Sequence, residues 1–414
     1  MPTEPQPDVL SARARVTAAL AGTLTLSAVA QAMDIPSRLG LSFYTEQFLA
    51  LVLGLALAMV FLNRASRWLF QDNVLAALGL VLGVYVAWRY PDLLSRMMFA
   101  PLDVLAVGAL VFVLVLEGLR RAVGWTLVIV VLSIAGYGLI GHLVDGPLQT
   151  RQVAPERMAV YLAFDPNGVL GISLNVAATV VVAFVLFGQL LLRSGGAEFF
   201  DDIASATMGR RRGGAAKISI VASGRSPGSA RRPTTPAAGE ATASTGGQIA
   251  PPVMGAVAFL MADILQRPYA EIVVAAAIPA LLYYVALFAQ ADLMAARENI
   301  APVPEDEIPQ PGPVLQRGWV FAIPFAAIIG ALFFFNQRAE TAALAGCVAA
   351  IVIGLGLGYG AKRMSLASIW DALVEAGQSV TEIVMISAAA GFIIGVLNVT
   401  GLGFAVTFAL VDLG

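Results

Sequence analysis

Charge is what this chain has least of. Only 13% of its 414 residues are Asp, Glu, Lys or Arg, against roughly 25% in a soluble domain. Hydrophobic residues make up 58% and the mean hydropathy is +0.81, so the chain reads as a polytopic membrane protein. A net charge of -2 gives no reason to expect nucleic acid as a partner. One cysteine, Cys347, and one histidine, His142, exclude a disulfide framework and a Cys/His metal cluster. Cys347 sits in an apolar run and reads as a small packing residue. There is no nucleotide-binding P-loop, so this chain does not hydrolyse ATP. Nor is there a GxSxG-like nucleophile in a plausible setting, or an intramembrane acid paired with histidine, and an enzyme is not expected.

What is present is length without polarity. A spanning helix needs about 20 apolar residues, and the sequence predicts helices near 16–33, 46–62, 73–90, 102–118, 123–143, 170–193, 249–266, 269–290, 319–336, 340–359 and 381–411. The last is long enough to be a broken helix or two short ones. The fold class expected is therefore all-α, with about 11–12 membrane segments. Two stretches, 196–209 and 364–379, mix apolar and acidic residues at helical spacing and read as interfacial amphipathic helices lying against lipid. The polar, proline-rich N-terminus precedes a long apolar run without a clean cleavage site, which reads as an uncleaved first helix.

Arginine placement predicts orientation. With the N-terminus in the cytoplasm, the inner connections as far as "GRRRGG" hold Arg13, Arg15, Arg64, Arg67, Arg120, Arg121, Arg193, Arg210, Arg211 and Arg212, and the outer ones Arg38, Arg89, Arg96, Arg151 and Arg157. The excess inside favours a cytoplasmic N-terminus. The chain also changes character along its length. Residues 1–125 are compact apolar spans with basic connectors and form a membrane scaffold region. The stretch 126–290 admits Gly, Ser, Thr and Asn into its spans from about 165 onward, as a transport region would. Residues 291–318 are an acidic, proline-rich linker, extended and solvent-exposed, and 319–414 begin a second transport half.

One string is unlike the rest: "EATASTGGQIAPPVMG", Glu240 to Gly255. Gly246, Gly247, Pro251 and Pro252 would unwind or kink a helix, since proline removes a backbone donor and clashes with the preceding turn. Unwound backbone presents free carbonyls, and Ser244 and Thr245 add hydroxyl oxygens, together a ligand set for a dehydrated sodium ion. Broken helices at mid-membrane are where secondary transporters bind ions and substrate. The same string also fits a kinked helix packed through small residues. A second candidate is "GISLNVAATVVVAFVLFGQLLL", in which Asn175 and Thr179 stand at i and i+4 on one helix face. An amide inside a hydrophobic span faces protein or a cavity, either as a ligand or in an interhelical hydrogen bond. Asp263, Glu117, Glu382 and His142 lie near helix ends and read as interfacial or solvated.

The run "GVLGISLNVAATVVVAFVLFGQLLLRSGGAEFFDDIASATMGRRRGGAAKISIVAS", followed by "EATASTGGQIAPPVMGAVAFLMADILQRPYAEIVVAAAIPALLYY", resembles the fused permease of tripartite ATP-independent periplasmic (TRAP) transporters. In that family a small and a large membrane subunit are joined in one polypeptide. The resemblance runs from about residue 40 to the end, and Ser-Thr-Gly-Gly-Gln-x-x-Pro-Pro is its most specific part. It implies a bacterial inner-membrane protein that takes up an organic acid, C4-dicarboxylate-like or another carboxylate, by sodium symport. A periplasmic solute-binding receptor would deliver the substrate. It also implies that Ser244, Thr245, Gly246, Gly247, Pro251 and Pro252 line the sodium and substrate region, with Asn175 and Thr179 on a helix beside the first re-entrant hairpin. No cofactor other than the coupling ion is implied.

Two departures from the pattern are legible. After "VAS" at 221–223 the family continues with an apolar re-entrant hairpin, whereas this chain has "GRSPGSARRPTTPAAG", basic and proline-rich. With 23 Arg against 2 Lys, the chain has the bias of GC-rich coding, and a frameshift or deletion would produce such a stretch. The sequence also stops at Gly414, ahead of the second Gly- and Pro-rich hairpin expected in the family. The alternative reading is therefore a non-transporting membrane scaffold or degenerate remnant of such a permease.

Overall fold

The computed structural model describes residues 7–63, 69–146, 148–210, 248–251, 254–297, 304, 308–359 and 363–413. Its elements are all helical: α1 (Pro7–Ala32), α2 (Thr45–Asn63), α3 (Leu69–Arg96), α4 (Leu102–Ala122), α5 (Trp125–Ile140), α6 (Pro155–Phe164), α7 (Ile172–Met208), α8 (Ala256–Ile264), α9 (Tyr269–Arg297), α10 (Pro311–Phe333), α11 (Ala339–Gly356), α12 (Leu366–Thr400) and α13 (Leu402–Leu413). Among the described residues nine helices are long and apolar enough to cross a membrane: α2, α3, α4, α5 with the 3-10 turn that follows it, α7, α9, α10, α11 and α12. This all-α chain is a polytopic membrane protein. The count falls short of the 11–12 segments expected because α1 is less apolar and α8, with nine residues, is only about 14 Å long, half a bilayer core.

Two compact units emerge, Met1–Val182 with Leu373–Gly414, and Ala183–Ala372. In the first unit α2 is apolar all round and is the buried member. It meets α3 through glycines: a Cβ on Gly83 would stand 2.6 Å from the Gly54 Cα and 2.8 Å from the Ala50 carbonyl. Small residues are what lets two helix backbones approach this closely where lipid supplies no hydrophobic drive. The same device seats α12, whose Gly377 faces the backbone of Ala21 and whose Gly391 and Gly395 face that of Gly168. Thr25 Oγ1 also donates to the Leu373 carbonyl at 2.8 Å.

Charged residues sort to the two ends of this unit. At one end Arg121 Nη1 meets Asp72 Oδ1 at 2.5 Å and its Nε meets Glu117 Oε1 at 2.6 Å, while Arg120 closes on Glu117 at 2.7 Å. Arg13 donates there to Asn73 and to the Leu69 carbonyl. Glu117, near the helix end as the sequence reads, is held there in ion pairs with both arginines and stays partly exposed. At the other end Arg96 pairs with Asp103 at 2.7 Å, and the Arg151 amide donates to the Thr400 carbonyl at 2.9 Å. The described residues sort by end as the alternating spans require.

In the second unit an aromatic cluster holds α7, α10 and the segment after α11 together. Phe199 stacks on Phe321 with ring centroids 5.4 Å apart and meets Tyr359 edge-on at 5.9 Å. The Phe199 ring occupies the place a Cβ on Gly318 would take. Cys347 is buried, its thiol 3.7 Å from the Ala183 carbonyl, as a packing residue should be.

Two boundaries differ from the sequence reading and one is kept. The stretch 364–379 is not a separate interfacial helix but the first turns of the unbroken 35-residue α12, which ends at Gly401, where φ is +74°. Residues 197–208 do form their own helical turns, set off from the preceding run at Gly195, whose φ is +95°. The linker 291–318 is helical at both described ends, in α9 to Arg297 and from Pro311 onward. Proline at a first helical position costs no hydrogen bond, so Pro311 opens a helix there.

Candidate ion and substrate site

The glycine-proline string is only partly within the described residues. Ser244, Thr245, Gly246, Gly247 and Pro252 lie outside them, as does the side chain of Asp263. The part described is not helical. Gln248 to Ala250 form a turn, Pro251 is half-buried in a bend, and the Gly255 amide returns to the Gln248 carbonyl at 2.7 Å before α8 starts at Ala256. A helix beginning near 249 is therefore delayed by about two turns. Met254, Phe259 and Ala262 are buried behind it, and Phe259 stacks between Phe184 at 5.1 Å and Tyr269 at 4.4 Å. The break thus leads into a short helix fixed on its apolar side.

Asn175 and Thr179 belong to the first unit, at the start of α7. Here α7 opens into a π-helical turn over Ala177–Val181. Such a turn replaces i→i+4 bonds by i→i+5 bonds and is frequent at functional sites. Thr179 is 9% exposed and its hydroxyl donates to the Asn175 carbonyl at 2.8 Å, so structure joins the pair through backbone rather than through the two side chains. Ser173, two residues before Asn175, has a buried Oγ without a partner among the described residues. No sequence signal distinguishes that serine from its neighbours. Pro251 lies in the second unit.

A second π-helical turn, Leu192–Gly196, follows on α7. Ser194 is fully buried and donates to the Leu191 carbonyl at 2.8 Å, and a Cβ on Gly195 would meet the Tyr359 Cβ at 2.7 Å. Tyr359 in turn donates to Asp202 Oδ2 at 2.9 Å. Burial, and then the Asp202 carboxylate, push its phenol up to about 12. Sequence reading passed over this polar contact because its partners stand 157 positions apart. Among the described residues no three His, Cys, Asp or Glu side chains gather as a metal site would require.

The sequence profile of the family described as "Tripartite ATP-independent periplasmic transporter, DctM component" matches residues 110–225 and 231–414. The match therefore takes in Asn175, Thr179 and the whole string from Ser244 to Pro252, and it is interrupted at 226–230. That interruption falls inside the stretch 224–239 whose composition departs from the family, although the rest of the stretch is matched. No curated protein matches the chain.

Proposed function

The chain belongs to the DctM-component family of tripartite ATP-independent periplasmic transporters, and from that membership we propose that it is the permease of a sodium-coupled carboxylate uptake system. Family members are transporters, and the reading extends this to a bacterial inner-membrane permease without enzymatic activity of its own. Its substrate is an organic acid handed over by a periplasmic receptor. Residues 1–125 serve as scaffold, 126–290 and 319–414 as transport regions, and 291–318 as the connection. The observation that carries the reading is the non-helical backbone of Gln248, Ile249, Ala250, Pro251, Met254 and Gly255, inside the family match and at the head of a helix too short to span. Backbone of this kind at bilayer depth is tolerated where it lines a cavity or is enclosed by protein. Ser244, Thr245, Gly246, Gly247, Pro251 and Pro252 would hold sodium and substrate, with Asn175 and Thr179 contributing from α7.

Proteoliposomes containing the full chain, supplied with the cognate receptor and an inward sodium gradient, should accumulate the receptor's carboxylate ligand. Alanine at Ser244 or Thr245 should weaken the sodium dependence while leaving membrane insertion intact. Sidedness is tested with single cysteines in a Cys347→Ser background. Ser11→Cys should resist an impermeant maleimide added from the periplasm and Gln152→Cys should react, and the reverse pattern would invert the topology.

A second reading is favoured by the interruption of the family match at 226–230 within an arginine- and proline-rich stretch. Arg225, Arg231 and Arg232 would each cost about 2.5–3.5 kcal/mol at a helix centre, so that stretch stays outside the hydrocarbon. On this reading the chain inserts but does not transport. Correctly inserted protein that shows no sodium-driven uptake with a functional receptor would decide for it.

A further inference from the structure

A cavity of about 480 Å³ opens at the end of the first unit where α3, α6 and α12 finish or begin, lined by Met97, Met98, Arg151–Ala154, Arg157, Tyr161 and Val399. Small-molecule sites typically occupy roughly 300–1,000 Å³. Arg151 and Arg157 both line this space, and neither has a carboxylate partner among the described residues. The contrast within the same unit is sharp, since Arg89, Arg96, Arg120 and Arg121 all hold one. Glu156, next in sequence to Arg157, is itself not among the lining residues.

Other groups add to the positive field. Ala154 is the N-cap of α6, a helix of ten residues, and no side chain caps it. With Pro155 at the first position, the free amides of that turn are those of Glu156 and Arg157; these and the helix dipole favour an anion, with the Glu156 carboxylate on the same turn acting against them. The lip is held in place: the Arg151 amide is bonded to the Thr400 carbonyl at 2.9 Å, and the Met158 amide to the Ala154 carbonyl at 3.0 Å. Asp165, which lies near Tyr161, has its Oδ1 engaged by the amide and side chain of Asn167, both at 2.9 Å. Met97, Met98, Val153 and Val399 supply an apolar wall.

We infer that this cavity is a binding site for a small organic carboxylate, distinct from the glycine-proline break, in which Arg151 and Arg157 hold the charge and the methionine and valine side chains hold the carbon skeleton. A planar guanidinium matches a carboxylate in two parallel hydrogen bonds. An inorganic anion would leave the apolar wall uncovered.

The readout is local and needs neither receptor nor sodium gradient, so failed uptake would leave this site standing. The full chain carrying Cys347→Ser and Gln152→Cys is placed in nanodiscs of zwitterionic lipid and labelled with a maleimide. Millimolar succinate should slow labelling about threefold or more, while its uncharged diamide should not, because only the dianion engages the guanidinium forks. Adding Arg151→Gln and Arg157→Gln should remove the protection, with the gel-filtration profile unchanged. Absent protection, equal protection by succinate and succinamide, or protection that persists in the double variant would overturn the inference. The succinate-against-succinamide comparison is made on one and the same protein, so it stands even where the arginine variants fold poorly.

Discussion

Two clusters in the first unit use arginine in opposite ways. Around Asp72 the described guanidiniums of α4 are met: Arg121 by Asp72 and Glu117, Arg120 by Glu117, with Arg121 also 5.1 Å from the Phe61 ring and Arg120 5.5 Å from that of Trp125. Around Tyr161, Arg151 and Arg157 line open space. An arginine that is paired and buried fastens helices, whereas one that is positioned and unpaired is available to a ligand. Residue type does not separate the two roles; partners do.

That contrast makes graded predictions. The largest effect should come from Asp72→Ala, which leaves Arg121 without its fully buried counter-ion. Breaking one side of a buried pair costs about 3–5 kcal/mol, read as a lowered midpoint of thermal unfolding in detergent. Replacing both partners, Asp72→Leu with Arg121→Met, should restore most of the loss, because no charge is then stranded. If the double variant is as unstable as the single one, the pair is not acting as a clamp.

An intermediate effect is expected at Tyr359, a paired polar group in the second unit. Tyr359→Phe removes the bond to Asp202 and should cost about 1 kcal/mol. Its pH dependence has a definite sign. The folded-state value is raised from 10 to about 12, so the neutral hydroxyl is favoured by folding. The stability difference between parent and variant should hold steady below pH 10 and shrink as pH climbs from 10 towards 12. A difference that instead grows over that interval would contradict the assignment. The smallest effect belongs to Arg157→Gln, which takes away an exposed and unpaired charge and should shift stability by less than about 0.5 kcal/mol. A large loss there would erase the contrast between the two clusters.

Much of this architecture was legible in the sequence because hydropathy and length alone mark spans. The helices α2, α4 and α11 fall where apolar runs predict them. The unwinding ahead of α8 is announced by its glycines and prolines, whereas α6 has no counterpart among the predicted helices. What could not be read is whatever depends on distant partners or on hydrogen-bond register. Asp72 and Arg121 are 49 positions apart, and nothing near either residue announces the other. The π-helical turns at Ala177–Val181 and Leu192–Gly196 change the bonding from i+4 to i+5 without changing composition. The i, i+4 spacing of Asn175 and Thr179 put them on one helix face, but it does not announce that the Thr179 hydroxyl bonds the Asn175 carbonyl. The break ahead of α8 was visible as a loss of helix, but the point where the helix resumes, Ala256, was not, since proline fixes where a helix cannot be and not where it resumes.

The unbroken course of α12 has a mechanical meaning. Thirty-five residues make a rod of about 52 Å, and a hydrocarbon core of about 30 Å crossed at a common tilt of about 20° uses only some 32 Å of it. About 20 Å of stiff helix must therefore project into headgroups or water, the portion that carries Ser368, Asp371, Glu375 and Gln378 being the polar one. With no proline and no hinge between Leu366 and Thr400, a sideways push on that projecting arm would be felt at the far tip as a lever is, reversed in direction about whatever point the bundle grips.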